Sequence, residues 1–305
     1  MIHIIFTGGT IGSCLNADGS VSTDERSYKL LSLYREKIGE LEATTECPFN
    51  VLSENIDFDR IEELLKCISN AIKEKNPSGI IITHGTDTLH YSSSFVGHAF
   101  AGADIPIVMV SANYILEDPR SNGLVNFANA VDFIKNGGEK GVFVSYKNED
   151  SGPQIHRATK LCKPLEYSDS LYSLKEFTGN NSEKVLPLDI ESLDIMSTKS
   201  KLVYIMPYVG MRYPKLSGEE KAVLFGSFHS GTIRTDSELM TFTEECRANG
   251  VKMYLAGHKG GGTEYETIRK CRELGINVLD DETEISMFAR LTLIISAGLD
   301  FEEFM

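Results

Sequence analysis

The sequence predicts an α/β protein of two domains. The larger N-terminal one is built on a mainly parallel sheet flanked by helices, and the smaller C-terminal one is also α/β. Three observations carry this expectation. Short apolar runs recur along the chain, amphipathic helical patterns fall between them, and the rhythm breaks once, between about residues 148 and 200.

The apolar runs are IHIIF (2–6), GIIIT (79–83), IPIVMV (105–110), GVFVSY (141–146), KLVYIM (201–206), KAVLFG (221–226) and VKMYLA (251–256). Many of their residues are β-branched, and the runs are too short for helices. Strands covered on both faces have this character, as in parallel sheets. Between Phe58 and Lys75, Ile61, Leu64, Leu65, Ile68 and Ile72 form one stripe at helical spacing. Helices are similarly expected over 87–101, 120–135, 236–249, 264–274 and 284–297. Strand alternating with helix argues for βαβ units. The segment from Asn148 to Ser200 is rich in Ser, Asp, Asn, Gly and Lys, reading as hairpins followed by a linker. The expected domains are therefore 1–190 and 201–305, joined by a linker over 191–200.

Composition narrows the function. The 305 residues carry 30 Lys+Arg against 44 Asp+Glu, a formal net charge of −14. That balance, with no Lys/Arg-rich run, argues against nucleic-acid or anionic-membrane partners, which both need a cationic footprint. With 41% apolar residues the chain can bury a core. The N-terminus MIHIIFTGGT has neither the basic region nor the long apolar stretch of a secretory signal, and the expectation is a cytoplasmic protein. The six cysteines are scattered, with neither metal-ligand spacing nor the density of a disulfide scaffold. His84, His229 and His258 each lie within two residues of a glycine and read as turn or site-wall residues, not metal ligands.

In open parallel sheets, ligands bind beyond the carboxyl ends of the strands. Two polar, glycine-containing turns lie there: Thr7-Gly8-Gly9-Thr10-Ile11-Gly12 after the first run, and His84-Gly85-Thr86-Asp87-Thr88 after the second. The first is not a dinucleotide fingerprint. Its glycines are spaced G-G-x-x-G, and the polar residues that follow, Ser13 to Arg26, do not read as a helix. Thr86-Asp87 alone reads as a helix N-cap, but capping does not explain two threonine-rich turns after two separate buried strands.

Together TGGTI and HGTDT, about 75 residues apart, resemble the bacterial-type L-asparaginase (asparaginase/glutaminase) family. Arg120-Ser121-Asn122-Gly123 with Asn126 and Asn129-Ala130 is similar to the family's R-S-[DN]-G-x-x-N-x-x-N-A helix. Arg157-Ala158-Thr159-Lys160 resembles the segment bearing its catalytic lysine, and the C-terminal region is similar in element order. The resemblance covers most of the chain and is nearest to the cytoplasmic type I. It implies an amidohydrolase that converts L-asparagine to L-aspartate and ammonia, with L-glutamine as a lesser substrate, and it requires no metal or organic cofactor. Thr10 would be the nucleophile, forming an acyl-enzyme, while Thr86, Asp87 and Lys160 form a second hydrogen-bonded group that handles protons. Backbone N–H groups of the two glycine turns, including Gly85, would steady the oxyanion. Asp87 would hold the substrate ammonium with Glu54 beside it. Ser53 would hold the carboxylate, and Ala112 would line the amide end through its backbone.

Two departures stand out. Ser20 occupies the place of the family's loop tyrosine, the nearest tyrosine being Tyr28. Thr232 stands where the family's C-terminal domain offers an asparagine to a neighbouring subunit, and Glu264 is a candidate for the accompanying acid. The resemblance also implies a homodimer or homotetramer. Two alternatives stay open: a related small-molecule amidase, and an asparaginase-like protein that binds a small amino acid with weak or no catalysis.

Overall fold

The computed structural model describes residues 1–15, 21–23, 28–174, 184–261 and 264–305, so Ser20 lies outside the described residues. The chain divides into two compact units, Met1–Ser192 and Leu193–Met305.

In the first unit, β1 (Ile2–Phe6) leads through the antiparallel pair β2 (Ser13–Leu15) and β3 (Val21–Thr23) to α1 (Tyr28–Lys37). There follow β4 (Ala43–Glu46), α2 (Phe58–Lys75), β5 (Gly79–Thr83), α3 (Leu89–Ala99), β6 (Pro106–Val110), α4 (Gly123–Lys135), β7 (Gly141–Lys147) and β8 (Pro153–Arg157). The sheet order is β4-β1-β5-β6-β7-β8, parallel except for the antiparallel β7–β8 pair. All residues of β1, β5 and β6 are buried, which is why their sequences are unbroken apolar runs. Ile4, Ile81 and Val108 share one cluster with Phe127 and Val131 of α4. Each such aliphatic side chain removed from water contributes about 1.5–3 kcal/mol. The α2 stripe is real: Ile61, Leu64, Leu65 and Ile68 are buried. Asp57 caps its start by accepting from Arg60 N, and left-handed Asn76 closes its end.

Two features of this sheet position the site. The register pairs Phe6 with Thr83 and Thr83 with Val110, so the loops after β1, β5 and β6 start level with one another. The chain also leaves β1 toward β4 on one side and β5 toward β6 on the other. Between β1 and β5 the connections therefore diverge, and that divergence opens a crevice beyond the strand ends.

The second unit is a four-stranded all-parallel sheet in the order β12-β11-β10-β9. Its elements are β9 (Leu202–Ile205), β10 (Ala222–Phe225), α5 (Ser237–Ala248), β11 (Lys252–His258), α6 (Glu266–Glu273), β12 (Asn277–Asp280), α7 (Glu284–Ser296) and the short α8 (Phe301–Phe304). One face packs Val223, Phe225 and Leu255 against Phe242 and Ile268. The other packs Leu224 and Tyr254 against Met287 and Leu291. In residues 191–200, Leu193, Ile195 and Thr198 are buried, the last in a 3-10 turn over Met196–Thr198.

Expected strands and observed ones agree to within two residues at each end, but β4, β8 and β12 were not among those expected. The helices expected from Asp87 and Arg120 begin instead at Leu89 and Gly123. In both places the polar residues ahead of the helix belong to a turn.

Candidate active site

The crevice between β1 and β5 is closed at its floor by threonines. Thr7 Oγ1 donates to Thr83 O at 2.6 Å, tying the two strand ends together. Gly8 and Gly9 then take φ of +101° and +76°, values that only glycine adopts readily. A bridge between Gly8 and Val51, with Gly9 N donating to Val51 O at 3.0 Å, draws the 51–55 segment alongside. A Cβ on Gly9 would overlap the backbone of Gly85, and one on Gly85 would overlap the Ser53 side chain. The two glycine turns thus touch backbone to backbone, with Ser53 against them, and Thr10 and Thr86 are the next residues on either side of that contact.

Ser53 is buried and donates from Oγ to Asp87 Oδ2 at 3.3 Å. Thr88 Oγ1 donates to Ser53 O at 2.8 Å, so the residue preceding α3 braces the 53–55 turn rather than capping its own helix. Thr10 opens the 3-10 turn Thr10–Gly12 and is half-buried, as is Thr86; Asp87 is exposed. Glu54 is also exposed, on the same 3-10 turn as Ser53. Lys160 is half-buried and ends a 3-10 turn over Ala158–Lys160 that packs on α3. A Cβ on Gly97 would press on Thr159 Cγ2, and Ser93 Oγ donates to Ala158 O at 3.4 Å. The helix that begins just after Thr86-Asp87-Thr88 therefore also carries the lysine segment.

Ala112 is wholly buried in the core cluster of α4, in a loop fixed by asparagines. Asn113 N donates to Asn122 Oδ1 at 3.0 Å and Asn122 N returns a bond to Asn113 Oδ1 at 3.1 Å. Asn126 Nδ2 donates to Ser111 O at 2.8 Å, and its Oδ1 accepts from Lys147 N at 2.7 Å. The R-S-N-G-x-x-N-x-x-N-A stretch is thus the clamp that joins the ends of β6 and β7.

Two histidines acquire meaning only in three dimensions. His84 is fully buried between Gly85 O (Nδ1, 2.7 Å) and Ser92 Oγ (Nε2, 2.8 Å). A carbonyl can only accept, so Nδ1 carries the proton and Nε2 accepts from the serine. Burial pushes the pKa of His84 down to about 4. It is a neutral brace for the Gly85 carbonyl. His90, on the first turn of α3, is 3% exposed, and neither ring nitrogen has a hydrogen-bond partner among the described residues. Burial, with the charge of Lys163, lowers its pKa to about 4 as well. It lines a cleft of about 280 Å³ that begins at Thr86 and Asp87 and reaches Lys163 and Ser168.

In the second unit, Thr232 is half-buried and its carbonyl accepts from Phe228 N at 2.8 Å. Glu264 is ion-paired with Arg272. An acid that closes over the carboxyl ends of this sheet is Glu284, which nothing in the sequence singles out. It accepts from Ser227 N at 2.7 Å and Tyr204 OH at 3.1 Å, and it fills the space over Gly226 and Gly257. Its signal in sequence is only Thr283-Glu284 at a helix start. Among the described residues no group of three His, Cys, Asp or Glu side chains is placed to hold a metal ion. No described helix is long and apolar enough to cross a membrane.

Comparison with known proteins agrees with this fold. The sequence model of the family described as "Asparaginase, N-terminal" matches residues 1–183. The chain belongs to the asparaginase family, a class of amidohydrolase enzymes. Its fold is similar to that of the thermostable L-asparaginase from Thermococcus kodakarensis (TM-score 0.75, 21% identity, 99% of this chain and 95% of that one). L-asparaginase I from Vibrio cholerae gives a TM-score of 0.75 at 20% identity, covering 99% and 94%. The probable cytoplasmic L-asparaginase from Campylobacter jejuni gives 0.74 at 21%, covering 99% and 97%. In sequence the chain is similar to the D-type component of glutamyl-tRNA(Gln) amidotransferase. It is 25% identical to the Sulfurisphaera tokodaii protein over 99% of this chain and 72% of that one. It is 28% identical to the Methanobrevibacter smithii protein over 64% of this chain. That second alignment spans only 43% of the relative's length.

Proposed function

We propose that the chain hydrolyses the side-chain carboxamide of L-asparagine to L-aspartate and ammonia, with L-glutamine as a lesser substrate. The observation that carries this reading is the backbone contact of Gly9 with Gly85, which sets Thr10 and Thr86 on either side of one crevice with Ser53 bonded to Asp87. Thr10 Oγ attacks the carboxamide carbon, its proton passing by way of Thr86 and Lys160 to the departing nitrogen. Backbone N–H groups of the glycine turns steady the oxyanion. Water then cleaves the ester and restores the threonine. Asp87, with Glu54 nearby, takes the substrate ammonium, Ser53 the carboxylate, and the loop bearing Ala112 borders the amide end. No cofactor enters these steps. A cytoplasmic homodimer or homotetramer of two-domain subunits is the assembly proposed.

The name shared by the sequence relatives favours a second reading, in which the amide nitrogen is transferred within a larger assembly instead of being released. Ammonia release by the purified chain separates the two. The proposal expects release from asparagine by the chain alone and none from Thr10→Ala or Lys160→Met. Binding of aspartate without any ammonia release would favour the non-catalytic reading, and full activity of Thr10→Ala would remove the assigned nucleophile.

A further inference from the structure

Past Thr86 and Asp87, the rest of the cleft lining has no task in the proposed hydrolysis of a primary amide, yet three of its features match an organic ligand. The His90 imidazole is buried with both nitrogens unpartnered among the described residues. A neutral imidazole presents one donor and one acceptor, and leaving such buried groups unmatched is costly. Lys163 is the cation of the lining, is exposed, and makes no ion pair among the described residues. Pro164, Leu165 and Leu171 supply apolar wall between them, which water alone does not call for. The cleft also carries the carboxylate of Asp169. That group is already engaged, with Oδ2 accepting from Tyr114 OH at 3.4 Å, and the Asp169 carbonyl accepts from Tyr146 OH at 2.7 Å.

The side on which this cleft lies indicates which part of a substrate would enter it. This step rests on the proposed amidohydrolase reading. The departing nitrogen must receive a proton, the proton-handling group is Thr86 with Lys160, and so the nitrogen faces Thr86. Any substituent on that nitrogen extends past Thr86, into the cleft. We propose that the cleft is a leaving-group subsite, and that the enzyme cleaves secondary amides joining the side-chain carbonyl of an aspartyl group to the nitrogen of an amino acid. His90 accepts from the amide N–H and donates to the carboxylate of the departing amino acid, while Lys163 pairs with that carboxylate. Thr10 Oγ bonds to the carbonyl carbon, the C–N bond breaks, and the nitrogen leaves as an amine carrying the proton lost by Thr10. Water then adds to the ester, freeing aspartate and returning the hydroxyl.

The test compares three substrates on the full chain: L-asparagine, side-chain-linked aspartyl-glycine, and the C-terminal amide of that dipeptide, which lacks the carboxylate. Aspartyl-glycine is expected to release glycine with kcat/KM at least equal to that for asparagine. Lys163→Gln should lower that value about tenfold, the scale of one charge-assisted contact. It should leave asparagine and the dipeptide amide within about twofold. His90→Phe should lower both dipeptides about tenfold relative to asparagine, and His90→Gln, which retains a donor and an acceptor, should recover most of the loss. Ammonia from asparagine with no glycine from the dipeptide overturns the subsite and leaves the amidohydrolase reading intact. Dipeptide cleavage indifferent to both residues also overturns it. If neither compound is turned over, the amidohydrolase reading fails. Calorimetric binding of aspartyl-glycine then decides the subsite: weakening by Lys163→Gln upholds it, and equal affinity or no binding removes it.

Discussion

The two mainly parallel sheets differ in one topological respect, and that difference decides which of them opens a crevice at its strand ends. In the second, β9 to β12 lie side by side in chain order, so every connection advances in the same direction. No pair of neighbouring strands sends its loops apart, and Glu284 fills the space over the strand ends by binding Ser227 and Tyr204. In the first, β1 sits between β4 and β5, and the loops of β1 and β5 diverge. A crevice follows from strand order alone. The glycines adjust its width: Gly9 and Gly85 let the two turns meet where any side chain would hold them apart. A parallel sheet supplies strand ends in both units, but only the reversal of strand order opens a crevice beyond them.

The most direct way to break this contrast is to remove the chemistry and leave the crevice. Thr10→Ala should lower kcat for ammonia release by at least about a thousandfold, with an unchanged thermal midpoint. Next in size is the crevice itself. Gly9→Ala drives a Cβ into Gly85 at a φ of +76° and should lower kcat/KM about a hundredfold. Gly210→Ala in the second unit has a φ of +84° but open space around it. It should lose only about 1 kcal/mol of stability and no activity. Comparable losses from both would show that backbone strain, not the meeting of the turns, matters.

Acid should also act on the two units unequally. His84 has a pKa of about 4 when folded, against 6.5 for an unperturbed histidine. The unfolded chain therefore binds more protons than the native one across that interval. The contribution of His84 is complete above pH 6.5 and is lost as pH falls through 4, amounting to roughly 3 kcal/mol at most. His90 adds to the same trend. Hydrogen exchange between pH 6.5 and 4 should show the first unit loosening before the second, with a flatter pH dependence in His84→Asn. Glu284→Ala should destabilise the second unit by about 1–3 kcal/mol through the orphaned Ser227 N–H and the lost bond from Tyr204 OH. The smallest effect belongs to Ser53→Ala, whose bond to Asp87 is long at 3.3 Å. A rise of about five- to tenfold in KM for asparagine is expected, with kcat little changed.

Legibility in the sequence followed burial. β1, β5 and β6 were readable because strands covered on both faces are written as continuous apolar runs. β4 (Ala-Thr-Thr-Glu) and β12 (Asn-Val-Leu-Asp) are edge strands without a fully buried residue, so neither apolar content nor alternation marks them. The turns holding Thr10, Gly85 and Asp87 were legible through their motifs and Ser53 only through the family resemblance, and the structure adds which of them touch. His84 and His90 were not legible as a brace and a cleft wall. Both roles depend on what lies opposite each ring: Gly85 O and Ser92 for one, no described hydrogen-bond partner for the other. Glu284 was hidden for the same reason, since a helix-initial Thr-Glu is ordinary capping sequence until Ser227 and Tyr204 are seen to converge on it.

The central claim is that the β1–β5 crevice cleaves an amide through Thr10. Rapid acid quenching of the enzyme with L-asparagine, followed by peptide mapping, tests it most directly. An aspartyl ester is expected on the peptide containing Thr10, absent in Thr10→Ala together with ammonia release. An adduct on another residue, or undiminished ammonia release from Thr10→Ala, would contradict it.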